Sequence, residues 1–231
     1  MSETSRFRAF FVKLRIPMRP RVLAPLALAL TALAAMPSAL GDAKEAPKPV
    51  VVHVGDSFVA SGFAQALKPK FQALGAKYVS TSQTSAYTTT LIRQIKLDSL
   101  ITVNRPSLVI ITIGANEMRM PLPEQHAHAV KNITKLASAT KCIWALPPRW
   151  DDKETGILAI MKREAGPCAV HDPSPYEKNI PRGSDKIHPT AKGGQMWADA
   201  FWAWMMEGKQ EGDVPWGSPA EVTEPAKGSG G

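Results

Sequence analysis

The stretch VVVHVGDS at residues 50–57 decides the fold of this chain. Its first five residues, Val50 to Val54, are apolar and β-branched except for one histidine, and they end at Gly55. A short, nearly continuous apolar run of this kind is typical of a strand that is buried on both faces. Such strands occur in parallel sheets that carry helices on either side.

The rest of the chain repeats this pattern toward the C-terminus. Four further short apolar runs predict strands at 77–80, 108–113, 142–146 and 168–171. Segments with helical character lie between them, at 58–74, 88–103, 123–139 and 151–165, and a last helix begins at Pro189. We expect Pro69 to divide or kink the first helix. Strands that alternate with helices predict an α/β fold with a mostly parallel sheet.

The two ends of the chain have a different composition. Residues 1–41 pass from a basic stretch through the apolar run 22–36 to small residues, which predicts a cleaved signal peptide. The apolar run is shorter than the ~20 residues of a membrane span, although an uncleaved anchor is the alternative. Residues 42–49 are predicted to be a linker, 50–211 the folded domain and 212–231 a disordered tail. We therefore expect a periplasmic or secreted protein without a stable membrane span after cleavage.

The net charge of +8 is concentrated near the N-terminus. Residues 1–41 contain six basic side chains and one acidic side chain, which leaves 22 basic and 19 acidic residues in the remainder. A nearly balanced domain has no electrostatic feature that would attract a polyanion. We therefore expect no nucleic-acid partner.

The chain has two cysteines, Cys142 and Cys168, and each stands at the start of a predicted strand. Disulfides form in exported proteins, and these two strands would be neighbours in a parallel sheet. We predict a disulfide between them; two buried free thiols are the alternative.

Three polar segments lie where the ligand crevice of a parallel α/β sheet is expected. They are Gly55-Asp56-Ser57, Gly114-Ala115-Asn116-Glu117 and Asp185-Lys186-Ile187-His188-Pro189. Each of them alone would be an ordinary turn, helix cap or loop. Together they supply a serine nucleophile, a histidine base with a nearby carboxylate, and an amide that can stabilise an oxyanion.

These segments resemble the first, third and last sequence blocks of the SGNH (GDSL-like) hydrolases, and the resemblance spans about residues 50–206. It implies a flavodoxin-like three-layer α/β/α fold with a five-stranded, mostly parallel sheet. It also implies that the protein is an esterase that requires no metal or organic cofactor. Ser57 would be the nucleophile, His188 the base and Asp185 its carboxylate partner. The N–H of Ser57 and the side chain of Asn116 would form the oxyanion hole.

The second block departs from the family pattern. Its glycine, whose N–H joins the oxyanion hole, is replaced in the segment Thr81–Ser85, where Ser82 stands nearest to the glycine position. A serine still has a backbone N–H but adopts positive φ less readily than glycine. We therefore expect Ser82 to be the third donor, with an altered local geometry.

The substrate is less clearly indicated than the chemistry. Asp56 and Trp150 are predicted to contact it, and the loops 147–166 and 173–184 to shape its pocket. The expected substrate is a small-molecule ester or an O-acetylated carbohydrate, and the protein is expected to be a monomer. An acyltransferase acting on cell-envelope polysaccharide and a catalytically silent binding protein are the alternatives.

The other histidines are assigned from their positions in the predicted elements. His53 lies inside the first strand and is expected to pack in the core. His126 and His128 are expected to face solvent on a helix. His171 ends a strand near the crevice, where it could have a function.

Overall fold

The computed structural model describes residues 47–210 and 213–216. In this part of the chain, five strands pair in parallel in the order β2-β1-β3-β4-β5, as predicted. Their bounds are β1 Val50–Gly55, β2 Lys77–Ser82, β3 Leu108–Thr112, β4 Lys141–Ala145 and β5 Ala169–His171. The predicted signal peptide, most of the linker and most of the tail lie outside the described residues.

Helices cover both faces of this sheet, which confirms the three-layer architecture. The described residues form six α-helices, namely α1 Ala64–Ala73, α2 Thr88–Ile95, α3 Leu97–Asn104, α4 Ala127–Ala137, α5 Ile157–Glu164 and α6 Ala191–Met205. Alternate strand residues pack into two separate cores, because successive side chains of a strand point to opposite faces. Helices α1 and α6 close one core, and α2, α3, α4 and α5 close the other. No described helix is long and apolar enough to cross a bilayer.

The segment after β1 breaks at Ser61–Gly62 and not at Pro69, so that prediction is wrong. Pro69 lies inside α1 on its exposed side, where the hydrogen bond that it cannot donate is easily replaced by water. Gly62 has φ +85, and a Cβ there would lie 3.1 Å from the backbone of Ala191. A Cβ on Gly194 would lie 2.4 Å from the Ser61 carbonyl oxygen. This close glycine contact packs the segment that follows Ser57 directly onto α6.

Two other predicted helices are shorter than expected. Lys96 has φ +51 and divides the segment 88–103 into α2 and α3. The predicted helix 151–165 begins only at Ile157, because the Glu154 carboxylate accepts hydrogen bonds from the N–H groups of Gly156 and Leu158. Residues 147–156 consequently form a long loop beyond the end of β4.

The predicted disulfide between Cys142 and Cys168 is present, which confirms their pairing. The register of β4 and β5 places Ile143 beside Ala169, so the preceding cysteines are adjacent with Cα atoms 4.7 Å apart. A cavity of about 870 Å³ opens next to them, at the amino ends of β3, β4 and β5. Trp216, which was predicted to lie in the disordered tail, is buried in the wall of this cavity.

Candidate active site

Ser57 stands directly beyond the carboxyl end of β1, and its position depends on Gly55. A Cβ on Gly55 would lie only 1.6 Å from the Thr112 carbonyl oxygen, so no other residue fits between β1 and β3. The N–H of Asp56 donates a hydrogen bond to the same oxygen at 3.1 Å. The chain then turns into a short helical segment, leaving Ser57 half-buried at the edge of the sheet.

The structure brings Ser57, His188 and Asp185 together as predicted from their residue types. Ser57 Oγ lies 2.8 Å from His188 Nε2, and His188 Nδ1 lies 2.7 Å from Asp185 Oδ2. The hydrogen bond from His188 lowers the pKa of Asp185 to about 2, so its carboxylate can only accept. Nδ1 of a neutral His188 therefore carries the proton, and Nε2 is free to accept the serine proton.

The loop before α6 holds the carboxylate and the imidazole in this arrangement. Asp185 Oδ1 accepts hydrogen bonds from the N–H groups of Ile187 and His188, at 2.9 and 3.0 Å. The loop is closed by a hydrogen bond from Gly183 N–H to the His188 carbonyl oxygen. Thr190 then caps α6 by accepting a hydrogen bond from Gly193 N–H.

Asn116 lies at the end of β3, the strand next to β1. Gly114, with φ +112, starts the single 3₁₀ turn that carries it. One N–H of its side-chain amide donates to the Ala86 carbonyl oxygen at 2.8 Å. Because an amide nitrogen has two hydrogens, the second remains for a ligand beside Ser57.

Ser82 is not placed together with these two groups. It is the exposed last residue of β2, an edge strand, and the next residue, Gln83, donates its N–H to the Gly55 carbonyl oxygen. Successive N–H groups of a strand point in opposite directions, so the N–H of Ser82 points toward the free edge. The turn that follows, Gln83–Ala86, reaches Asn116 instead, and Ser85 adopts φ +57 there.

Several solved structures have the same fold as this chain. TesA superposes with a TM-score of 0.53 at 20% identity, covering 66% of this chain and 96% of TesA. A lipase/acylhydrolase from Enterococcus faecalis gives 0.56 at 15% identity, with 68% and 95% covered. The acetyl xylan esterase AlAXEase gives 0.53 at 15% identity, with 67% and 98% covered. No family sequence model and no curated protein sequence matches the chain.

The chain has the three-layer α/β/α fold of these solved structures. The three segments that resemble the SGNH hydrolases in sequence lie together at the carboxyl edge of the sheet, as their positions at strand ends predicted. At this level of identity the solved structures establish the architecture of the chain and not its chemistry.

Asp56 has a different place in this fold from the one predicted. It is fully buried and so cannot contact a substrate. Its carboxylate accepts hydrogen bonds from the N–H groups of Phe58, at 2.9 Å, and Ala115, at 3.2 Å. Asp56 thus connects the turn that carries Ser57 to the turn that carries Asn116. Sequence analysis recognised its block but missed this linking role.

Trp150 is half-buried and contacts the turn that carries Asn116. Its indole N–H donates to the Ala115 carbonyl oxygen at 2.9 Å. The guanidinium of Arg119 lies over the ring, 5.0 Å from its centroid, and forms an ion pair with Asp151. The position of Trp150 is therefore fixed by the turn after β3.

A buried acidic pair lies beneath the site. Burial raises the pKa of Asp56 to about 7, with a further contribution from the nearby charge of Glu117, and burial also raises the pKa of Glu117. The Glu117 carboxylate accepts a hydrogen bond from the N–H of Thr88, and the Thr88 hydroxyl forms a hydrogen bond with His126. His126, which lies in the 3₁₀ turn that precedes α4, is therefore buried, contrary to the prediction. His128 is exposed.

The remaining two histidines are packing residues. His53 is buried in β1 as predicted, and its ring forms hydrogen bonds with the side chains of Tyr78 and Thr112. Burial lowers its pKa to about 3. His171 is buried against Phe201 and bonded to the Tyr176 hydroxyl, so it does not join the site.

The acidic pair leads to a prediction about stability. The pKa of Asp56 rises from an ordinary 3.8 to about 7, so the folded protein holds an extra proton between these values. Stability is therefore lost as pH rises through this interval, by up to ~1.4 kcal/mol per pH unit. Asp56→Asn should remove this loss. The free energy of unfolding of the variant, relative to that of wild type, should therefore rise as the pH is raised from about 4 to about 7.

Urea unfolding at a series of pH values measures this difference. Asp152→Asn, at an exposed position, is the matched control and should follow the wild-type pH dependence. A difference between Asp56→Asn and wild type that stays constant with pH would contradict the assignment.

Proposed function

We propose that the chain is an exported serine ester hydrolase. The observation that carries the proposal is the continuous contact from Ser57 Oγ to His188 Nε2 and from His188 Nδ1 to Asp185. Asp56 joins the turn of Ser57 to the turn that carries Asn116. A serine hydroxyl is a weak nucleophile, and an adjacent oriented base is what activates it.

In the proposed reaction, Ser57 Oγ attacks the ester carbonyl carbon while His188 Nε2 takes the serine proton. The negative charge that develops on the carbonyl oxygen is stabilised by the N–H of Ser57 and the amide of Asn116. When the intermediate collapses, the ester C–O bond breaks and His188 protonates the leaving alcohol. A water molecule, deprotonated by His188, then releases the acid from Ser57.

We propose the third oxyanion donor in the turn Gln83–Ala86 rather than at Ser82. The N–H groups of Gln83 and Ala86 are engaged within the sheet and the turn. Those of Thr84 and Ser85 form no hydrogen bond within residues 47–210 and 213–216. The turn lies against Asn116 through the Ala86 carbonyl oxygen, so these N–H groups are the nearest candidates.

The exposure of the base leaves room for a large alcohol group in the substrate. The side chains of His188 and Asp185 are 38% and 46% exposed, so a bulky alcohol meets little obstruction on the side of the base. A small-molecule ester or an O-acetylated carbohydrate fits this description, and the solved acetyl xylan esterase shares the fold. Acyl transfer to a polysaccharide would use the same residues with a different acceptor.

Export is supported by two features of the chain. The predicted signal peptide precedes the domain, and the Cys142–Cys168 disulfide suits an oxidising compartment. We propose a periplasmic or secreted monomer with no nucleic-acid partner.

A substrate screen tests the proposed function. The full chain is incubated with p-nitrophenyl esters of increasing acyl length and with acetylated polysaccharides, and the released acid is measured. Hydrolysis of the short esters supports the proposal. Acyl groups found only on an added alcohol or glycan would favour the transferase, and no turnover together with no labelling by a fluorophosphonate would favour the silent binding protein.

Asn116→Ala should lower kcat by about 10²–10³-fold, because the oxyanion loses one fixed donor. KM should change much less, since this contact strengthens mainly in the transition state. Asn132→Ala, which removes an exposed amide on α4, is the matched control and should behave as wild type. If Asn116→Ala retains wild-type kcat, the oxyanion is stabilised by other donors, and the backbone N–H groups of Thr84 and Ser85 are the next candidates.

A further inference from the structure

Arg182 lies half-buried behind the loop that carries His188, outside the residues that the sequence blocks identify. Its guanidinium donates hydrogen bonds to the carbonyl oxygens of Ile187, Pro148 and Arg149. The distance to the Arg149 oxygen is 2.8 Å and that to the Pro148 oxygen 3.2 Å. Burial lowers the pKa of Arg182, and the nearby charges of Glu177 and Asp185 act in the opposite direction.

The three acceptors belong to two separate segments of the site. The Ile187 carbonyl is part of the peptide bond that continues into His188. The carbonyls of Pro148 and Arg149 belong to the loop after β4, directly before Trp150. Arg149 is itself fixed, because its backbone N–H and its side chain both bond the buried carboxylate of Glu177. Arg182 therefore ties the loop of the base to an anchored wall of the crevice.

Arg182 also contacts the segment that carries the nucleophile. Its guanidinium carbon lies 5.9 Å from the centroid of the Phe58 ring, and Phe58 directly follows Ser57. The imidazole of His188 packs on the same phenyl ring, with centroids 5.4 Å apart. Phe58 is almost completely buried and so provides a fixed surface for both groups. One side chain thus contacts the supports of Ser57, of His188 and of the crevice wall.

We propose that Arg182 is a positioning residue that keeps the imidazole of His188 in line with Ser57 Oγ. The inference rests on the proposed ester hydrolysis and deepens it. The planar guanidinium donates in fixed directions, so it can hold two loops at once, which a single ammonium group cannot do. Asp185 orients the ring from the solvent side, and Arg182 holds the backbone of the same loop from behind.

The test compares Arg182→Ala and Arg182→Lys with wild type. Arg182→Ala should lower kcat for p-nitrophenyl acetate by about 10–100-fold, because a displacement of about 1 Å in a reacting group has effects of this size. KM should change by less than about 3-fold, since the substrate contacts remain. Arg182→Lys should lie between the two. Guanidinium ion at non-denaturing concentration should restore part of the kcat of Arg182→Ala by occupying the vacated space.

Arg163→Ala is the matched control, because Arg163 forms exposed ion pairs with Glu124 and Glu164 far along the chain from the site residues. It should keep wild-type kcat and show no response to guanidinium. Urea unfolding of each variant separates loss of folded protein from loss of rate per folded molecule. If Arg182→Ala does not fold, Arg182→Lys carries the same kinetic comparison.

Two results would overturn the inference while leaving the proposed function intact. One is a folded Arg182 variant with wild-type kcat, and the other is a lowered kcat that is fully explained by the unfolded fraction. An inactive wild-type protein that also fails to react with a fluorophosphonate would instead overturn the proposed function, and the inference with it.

Discussion

Ser57→Ala is expected to lower kcat for a short p-nitrophenyl ester by about 10⁶-fold, because nucleophile and base act as one unit. The variant should remain folded, since Ser57 Oγ is hydrogen-bonded to His188 and Ser57 belongs to neither of the two cores described above. Steady-state kinetics measures the loss, and circular dichroism verifies the fold. A fluorophosphonate should label wild type at Ser57 and leave the variant unlabelled.

Ser80→Ala provides the matched control, because Ser80 is an exposed serine on the edge strand β2. It should turn over substrate and react with the fluorophosphonate as wild type does. A folded Ser57→Ala variant with near-wild-type turnover would show that another residue is the nucleophile.

His188→Ala should lower kcat by a similar factor of about 10⁶, and the double variant with Ser57→Ala should be no slower than either single variant. The reason is that the serine hydroxyl without its base and the base without its serine both leave the covalent route closed. His128→Ala, at an exposed position, should have wild-type kinetics. Additive losses in the double variant would mean that the two residues act in separate steps.

The parts of the site that sequence analysis predicted are those where chemistry requires a particular residue type. Ser57, Asn116 and His188 each follow a strand or precede a helix, and the parallel sheet brings such positions to one edge. Their order along the chain was therefore enough to predict that they meet. The disulfide was predictable for a similar reason, because both cysteines stand at the starts of neighbouring strands.

The parts that were missed depend on directions that residue types do not encode. Asp56 was expected to face a substrate, yet at the turn after β1 its side chain points inward to the N–H groups of Phe58 and Ala115. Ser82 was expected in the oxyanion hole, yet the alternation of β2 turns its N–H outward. In both cases the direction in which the group points, and not the residue type, decides what it contacts.

Long-range packing accounts for the other differences. The break at Gly62 reflects its close contact with α6, more than a hundred residues later in the chain. Arg182 stands in a polar loop without any motif, and its acceptors at Pro148 and Ile187 come together only in the folded protein. No local pattern reports such contacts.

The position of Trp216 has a consequence for how the protein can be attached to a surface. Trp216 lines the cavity at the amino ends of β3, β4 and β5. The Pro49 carbonyl oxygen accepts a hydrogen bond from the N–H of Lys77 at the amino end of β2. The first and last residues that the structure describes therefore lie at the edge of the sheet opposite Ser57. A bead, a fusion partner or a cell surface joined directly before Pro49 or directly after Trp216 would hold the molecule with its crevice facing outward. Immobilised on such a support, the protein could meet insoluble polymers without a long spacer.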